Sequence, residues 1–282
     1  MASGPVIRLA VFGNPVAQSR SPEIHGLFAA QCGLRVDYQA IEATSDTFPE
    51  RVKALALEGG RGCNITAPFK NAAWLLASSS SDSACRARAA NTLVFESDHQ
   101  WFADSTDGMG LVHDLRAGSS PELAGSRICL LGAGGAAASV LGALLRAKPK
   151  TIVVANRSIL RAQQLVDTHG DLGKLSACEP RELLSEAPFD LIINATSLGH
   201  GGLAPELGES WLTPGALCYD MNYGKAAEPL RRLCMARGIR YRDGLGMLVH
   251  QAALSFELWT GKTPDGTEVL RQLRRPSGRP SG

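Results

Sequence analysis

The chain has 282 residues, 44% of them hydrophobic and 20% charged, with a formal net charge of +2. That length accommodates two domains with cores of their own, and the composition excludes a disordered or low-complexity chain. A charge so close to balance gives no electrostatic ground for a nucleic-acid or membrane-surface partner.

Short β-rich apolar runs alternate with helix-period segments, the pattern of parallel α/β sheets with crossover helices. Ile7–Gly13 reads as the first strand. Ser21-Pro22-Glu23 supplies an N-cap, a proline at the first helical position and an acidic first turn, so a helix is expected to Cys32, stopped by Gly33. Strands are expected at Val36–Ala43, Gly62–Thr66 and Thr92–Glu96, with a helix over Asp46–Glu58. The boundary between two series of elements falls around Asp107–Ser126, where a helix over Gly108–Leu115 and the loop Ala117–Glu122 intervene. The second series has strands at Arg127–Leu131, Thr151–Ala155, Leu191–Ala195 and Ala216–Asp220, and helices at Ser158–His169 and Ala226–Arg237. Helices over Leu245–Thr260 and Asp265–Leu273 follow, and the last nine residues, only Arg, Pro, Ser and Gly, are expected to be a disordered tail over 274–282.

Seven cysteines, none in a Cys-x-x-Cys pair, read as reduced core thiols of a cytoplasmic protein. The N-terminus shows no leader pattern, and no apolar run reaches the ~18–20 residues of a membrane helix. The six histidines have no metal-ligand spacing, and His25, on an apolar helix face, reads as a packing residue.

The strand Arg127–Leu131 runs into Gly132-Ala133-Gly134-Gly135-Ala136-Ala137 and then a Leu/Val/Ala-rich helical stretch. Strand, glycine turn and helix in that order form a dinucleotide site of the G-x-G-x-x-A type. Gly132 allows the tight turn, Gly134 lets a pyrophosphate approach the backbone, and Ala137 permits close helix–sheet packing. The helix N-terminus offers free N–H groups to the anion. An NAD site places an acidic residue at the end of the next strand, about 20 residues after the first glycines. Here Asn156-Arg157-Ser158 stands in that place, with Arg161 one helical turn on. Two guanidiniums and a hydroxyl suit a 2′-phosphate, so NADP is the expected cofactor.

The runs Gly13-Asn14-Pro15-Val16-Ala17-Gln18-Ser19-Arg20-Ser21-Pro22 and Asn64-Ile65-Thr66-Ala67-Pro68-Phe69-Lys70 resemble the shikimate dehydrogenase family. So do Asn91-Thr92-Leu93, Ser105-Thr106-Asp107-Gly108-Met109-Gly110, Asn194-Ala195-Thr196-Ser197 and Asp243-Gly244-Leu245-Gly246-Met247-Leu248-Val249-His250-Gln251, in the family's order. The resemblance implies an α/β substrate domain over 1–106, completed by 247–273, and a Rossmann-type NADP domain over 107–246. It implies reversible NADP-dependent reduction of 3-dehydroshikimate to shikimate. Ser19, Ser21, Asn64, Thr66, Asn91, Tyr223 and Gln251 would hold the substrate, and Lys70 and Asp107 would be the catalytic pair. Thr196, Met221 and Gly244 would join Gly132, Ala133, Gly134, Gly135, Ala136, Asn156, Arg157, Ser158 and Arg161 around the cofactor.

The residue types suit that chemistry. Taking a hydride from a secondary alcohol requires taking the hydroxyl proton as well, and a partly buried Lys beside a carboxylate can accept and return it. Hydroxyl and amide side chains bind ring hydroxyls and a carboxylate directionally, and no metal is required, because the nicotinamide carries the hydride. The expected partner is therefore a small molecule, with no nucleic acid and no membrane, and a homodimer is left open. Two positions depart from the family: Arg88 stands where Gly is usual, and Ser105 replaces the Asn before Thr106-Asp107. Arg88 would reshape the loop holding Asn91, and the lost amide would loosen Asp107. Two alternatives remain: an oxidoreductase acting on quinate or a related acid, and a non-catalytic ligand-sensing protein that kept both pockets.

Overall fold

The computed structural model describes residues 4–97, 100–118 and 120–275. These divide into two compact units, one drawn from Met1–Gly110 and Val249–Gly282, the other formed by Leu111–Leu248.

The first unit is built on β1 (Ile7–Gly13), α1 (Ser21–Cys32), β2 (Val36–Glu42), α2 (Phe48–Leu57), β3 (Gly62–Ile65), α3 (Lys70–Leu76), β4 (Ser79–Ser80), α4 (Asp82–Ala87), β5 (Thr92–Ser97) and β6 (Gln100–Asp104). Its sheet has the order β2-β1-β3-β5-β6-β4. Strands β1, β2 and β3 are parallel, whereas β5 runs antiparallel to both β3 and β6. The register pairs Asn64 with Thr92 and Thr92 with Asp104. The C-terminal ends of β3 and β6 and the N-terminal end of β5 therefore meet at one edge, which gathers three motifs far apart in sequence. Phe12, Phe48, Ile65, Phe69, Leu93 and Trp101 pack the core beneath.

The second unit opens with α5 (Asp107–Ala117), most of which belongs to it, and continues through β7 (Arg127–Leu131), α6 (Gly135–Arg146), β8 (Thr151–Ala155), α7 (Ile159–His169), β9 (Leu175–Cys178), α8 (Leu183–Glu186), β10 (Phe189–Asn194), β11 (Leu212–Asp220), α9 (Glu228–Ala236) and β12 (Arg240–Arg242). Its six strands are all parallel in the order β12-β11-β10-β7-β8-β9. Successive residues of β7 serve opposite faces: Ile128 and Leu130 join one cluster with Val140, Leu144 and Tyr219, while Cys129 and Leu131 join another with Phe189, Trp211 and Cys218. A sheet covered on both faces accounts for strands that read as unbroken apolar runs. The chain then continues through α10 (Leu245–Thr260), whose later turns return to the first unit, and α11 (Gly266–Arg274). Trp259 of α10 donates to the carbonyl of Leu93 at 2.9 Å.

Both joins between units fall inside helices, at Gly110–Leu111 in α5 and Leu248–Val249 in α10. The expected joins at 106/107 and 246/247 therefore lie a few residues early. The first turn of α5 carries Asp107 into the polar cluster of the first unit, and this holds it there. Ser21 is the first residue of α1 rather than its N-cap, which is Arg20. Arg274, the first residue of the expected tail, closes α11 instead; residues 276–282 lie outside the described residues, as does His99. Of the seven cysteines, Cys63, Cys129, Cys178, Cys218 and Cys234 are buried, but Cys85 is exposed and Cys32 half-buried, so these two are not core thiols. No helix among the described residues is long and apolar enough to cross a membrane.

Candidate active site

Lys70 begins α3 and Asp107 begins α5. Lys70 Nζ donates to Asp107 Oδ2 at 2.5 Å, with side chains 25% and 8% exposed respectively. The lysine head is thus open on one side, and the carboxylate is enclosed. Asp107 Oδ1 accepts from Asn91 Nδ2 at 2.9 Å, so both carboxylate oxygens are satisfied. The same Asn91 amide nitrogen lies 2.8 Å from Gln251 Oε1 and 2.9 Å from Thr106 Oγ1, while Asn91 Oδ1 accepts from the backbone N–H of Thr106 at 2.9 Å. Lys70, Asp107, Asn91 and Gln251 therefore form one connected group. Gln251 is buried rather than solvent-facing.

Asn64 sits beside this group and is just as occupied. Its Oδ1 accepts from Tyr38 at 2.7 Å and from His25 Nε2 at 3.2 Å. Its Nδ2 donates to the carbonyl of Asn91 at 3.0 Å and to Ser255 Oγ at 3.0 Å. Ser21, buried at the start of α1, has its side chain within hydrogen-bonding reach of Tyr38. Ser19, half-buried, accepts from the Ser21 N–H at 3.2 Å. Thr66 closes on the loop carrying these serines, since a Cβ on Gly13 would stand 2.4 Å from its methyl. Tyr223 is the exception: it lies in the second unit, before the short turn Gly224–Ala227.

The motifs assigned no site role to His25, Tyr38 or Ser255, nor to Thr92, which stands inside the run Asn91-Thr92-Leu93 and bonds to Asn91 and Ser255. Two of them had a helical signal. His25 follows Ser21 by four residues on α1, and Ser255 follows Gln251 by four on α10, so each pair shares a helix face. Tyr38, alone on β2, had none. His25 is fully buried, stacked on Tyr38 with ring centroids 4.3 Å apart, and flanked by Phe28, Phe256 and Trp259. Burial pulls its pKa down to about 3. The neutral ring donates from Nε2 and fixes which way the Asn64 amide faces.

The two departures resolve locally. Arg88 adopts left-handed backbone, φ 47° and ψ 40°, at the C-terminal cap of α4, a place where glycine would be unstrained. Its guanidinium stacks over Trp74, 5.5 Å from the ring centroid, and its carbonyl accepts from Asn71 at 2.7 Å. The hydrogen bonds of Asn91 are in place despite it. Ser105 is buried, and its hydroxyl has no hydrogen-bond partner among the described residues. Asp107 is not loosened by the missing amide, because Asn91 and Lys70 hold it.

In the second unit, Gly132 turns with φ 102°, and a Cβ there would lie 3.2 Å from the carbonyl of Ala195. Ala133 is half-buried, Gly134, Gly135 and Ala136 are exposed, and added Cβ atoms at both glycines would meet nothing within 4 Å. Ala137 is fully buried against the sheet. The strand end, open glycines and N-terminus of α6 leave a cradle that fits a pyrophosphate. Asn156, Arg157 and Ser158 follow β8, and Arg161 stands on α7. Both arginines are exposed, and among the described residues neither has a carboxylate at ion-pair distance. Thr196, Met221 and Gly244 lie just beyond the ends of β10, β11 and β12 respectively, tied together through Asn194 and Asn222. No set of three or more His, Cys, Asp or Glu among the described residues could hold a metal ion.

Shikimate dehydrogenase from an Acidovorax species, an NADP(+) enzyme, is 48% identical to this chain over 94% of each sequence. The chain belongs to the shikimate dehydrogenase family. The family descriptions that match are the shikimate dehydrogenase substrate binding domain over residues 11–93, shikimate / quinate 5-dehydrogenase over 114–206 and the shikimate 5′-dehydrogenase C-terminal domain over 244–274. Among solved structures, an Ael1 enzyme from Pseudomonas putida is 40% identical with a TM-score of 0.87, covering 96% of this chain and 99% of its own. Shikimate 5-dehydrogenase from Thermus thermophilus, solved with NADP(H) and shikimate, is 32% identical with a TM-score of 0.79, covering 94% and 99%. The fold is the family's two-domain α/β arrangement, and the chain is an oxidoreductase of this family.

The buried imidazole yields a prediction with a definite sign. In the unfolded chain His25 takes up a proton near pH 6.5, and in the folded protein only near pH 3. Between those values the unfolded state binds more protons, so stability rises with pH. The contribution of His25 is complete above pH 6.5 and lost as pH falls. The loss runs at about 1.4 kcal/mol per pH unit below that point. Urea unfolding at pH 7 and pH 5 should show the unsubstituted protein losing about 2 kcal/mol more than His25→Gln over that interval. Equal losses would mean that His25 is protonated in the folded state.

Proposed function

We propose that the chain catalyses the NADP-linked interconversion of 3-dehydroshikimate and shikimate, with Lys70 and Asp107 moving the proton. The observation that carries this reading is the 2.5 Å contact of a half-open lysine with an enclosed carboxylate whose other oxygen is held by Asn91. When bound, the nicotinamide supplies or accepts the hydride. Everything else falls to the side chains. Asp107 has one oxygen on Lys70 and the other on Asn91, so it acts through Lys70 rather than on the substrate directly. Lys70 spends one of its N–H groups on Asp107, leaving others for the reacting oxygen. In the reducing direction Lys70 Nζ gives a proton to the oxygen as it gains negative charge. In the oxidising direction it takes the hydroxyl proton, and Asp107 stabilises the ammonium that results.

Ser19, Ser21, Asn64, Thr66, Asn91 and Gln251 are the groups assigned to the ring hydroxyls and carboxylate, with Tyr223 from the second unit as a further candidate. The ends of β7 and β8 are assigned to the cofactor. The turn from Gly132 to Ala136 would hold the pyrophosphate, and Asn156, Arg157, Ser158 and Arg161 would hold the 2′-phosphate. Thr196, Met221 and Gly244 complete the set. The unpaired exposed arginines favour NADP over NAD, because a doubly charged phosphate repays two guanidiniums and a ribose hydroxyl does not.

Lys70→Met and Asp107→Asn should each lower kcat by ~10²–10⁴-fold. The KM for NADP should stay near its native value in both, as measured by initial rates of shikimate oxidation. Near-native kcat in Lys70→Met removes the lysine from the chemistry.

Arg157→Asp should raise the KM for NADP roughly 10- to 100-fold, the worth of one charge-assisted hydrogen bond, with little change for NAD. A parallel loss with both cofactors would place Arg157 outside the 2′-phosphate site.

A further inference from the structure

A second polar cluster lies at the C-terminal ends of β10 and β11, centred on the carboxylate of Asp220. The residue is fully buried. Its Oδ1 accepts three N–H bonds, from Asn194 Nδ2 at 3.0 Å, the Asn222 backbone at 3.0 Å and Asn222 Nδ2 at 2.8 Å. Its Oδ2 has no hydrogen-bond partner among the described residues. Burial pushes the carboxyl pKa up, while the N–H bonds from Asn222 and Asn194 pull it down. An apolar residue would fill this place at lower cost, so the half-satisfied carboxylate calls for an explanation in what it holds.

It holds two amides, and each of these holds a turn. Asn194 Oδ1 accepts from the Thr196 backbone at 3.1 Å and the Thr196 hydroxyl at 2.7 Å. Asn222 Nδ2 also donates to the Thr196 carbonyl at 3.1 Å. The carbonyl of Asn194 accepts from Met221, and that of Asn222 from Gly244, both at 2.9 Å. The contacts are too close for side chains: a Cβ on Gly244 would lie 2.3 Å from the Met221 carbonyl oxygen, and one on Gly132 3.3 Å from the Thr196 methyl. Through its two amide partners Asp220 thus links residues 194–196, 220–222 and 244.

The strand order says which part of a dinucleotide meets this cluster. It reverses between β7 and β10, and a dinucleotide lies across the strand ends at such a switch point. The arginines after β8 take the 2′-phosphate side, which leaves the nicotinamide side to β10 and β11. We propose that Asp220 is a positioning residue for the nicotinamide half of the cofactor. By fixing Asn194 and Asn222 it sets the place of Thr196, Met221 and Gly244 without touching the adenosine half. The inference rests on the reading of this unit as an NADP site.

The test pairs kcat at saturating NADP and shikimate with the Kd for 2′-phospho-ADP-ribose, which lacks the nicotinamide. Asp220→Ala should lower kcat on the order of 10²-fold, the cost of a misplacement of about an ångström. The Kd for 2′-phospho-ADP-ribose should be unchanged, and Asp220→Asn, which keeps an acceptor at Oδ1, should recover most of the rate. If Asp220→Ala does not fold, Asn222→Ala should show the same split. Parallel loss of rate and fragment affinity, near-native kcat, or no recovery in Asp220→Asn would each overturn the positioning role. Failure of the unsubstituted protein to bind 2′-phospho-ADP-ribose would instead defeat the NADP reading and the inference with it.

Discussion

The carboxylate of Asp107 is enclosed, and an enclosed charge must be paired and hydrogen-bonded or it costs several kcal/mol. Lys70 provides the pairing, and the Asn91 amide provides the second bond. Asn91 can do so only because its other contacts, with Thr106 and Gln251, fix the amide's orientation. Those contacts in turn require the ends of β3, β5 and β6 to meet at one edge of the sheet and the later turns of α10 to return to the same unit. The mixed parallel and antiparallel order of the first sheet is what brings this about. Had β5 run parallel to β3, Thr92 and Asn91 would stand at the opposite edge from Asn64 and Asp107.

The second unit meets a different demand. The contacts proposed for its cofactor are mainly backbone N–H groups and terminal charges, and the uniformly parallel sheet presents all its C-terminal strand ends on one side. Gly132 supplies the turn, and the exposed stretch from Gly134 to Ala136 leaves room in front of α6. The arginines after β8 project from a strand end and the following helix, with no carboxylate partner among the described residues. Carbonyl–amide pairs through Asn194 and Asn222 tighten the far side, where the backbone rather than side chains must be held in place.

Much of this was legible in the amino-acid order, for physical reasons that also mark where legibility ended. Buried strands such as Thr151–Ala155 and helices with a proline start or a capped end have local signals, and their expected bounds agree with the structure within a few residues. The segments β4, β9 and β12 are two to four residues long, too short to show a period. The helices α3 and α4 follow turn-rich stretches and were not anticipated. The motif residues Lys70, Asp107, Asn64, Asn91 and Gln251 lie together in one hydrogen-bonded cluster, His25 and Ser255 share a helix face with Ser21 and Gln251, and Tyr38 enters through tertiary pairing that no local pattern encodes. Arg88 shows the reverse case. The sequence suggested a disturbed loop, but the backbone accepts a non-glycine left-handed residue, and the side chain is drawn onto Trp74.

One matched family description names both shikimate and quinate, two closely related ring acids. Quinate carries one more hydroxyl, at the carboxylate-bearing carbon, and the proposed site assigns no residue beyond Ser19 and Ser21 to that end of the ring. A polar group left unmatched in such a site costs about 1–3 kcal/mol. The most direct measurement is therefore a panel of initial rates with shikimate and quinate, each with NADP and NAD. Shikimate with NADP should give the highest kcat/KM of the four pairs, and a higher value for quinate, or for either acid with NAD, would contradict the account.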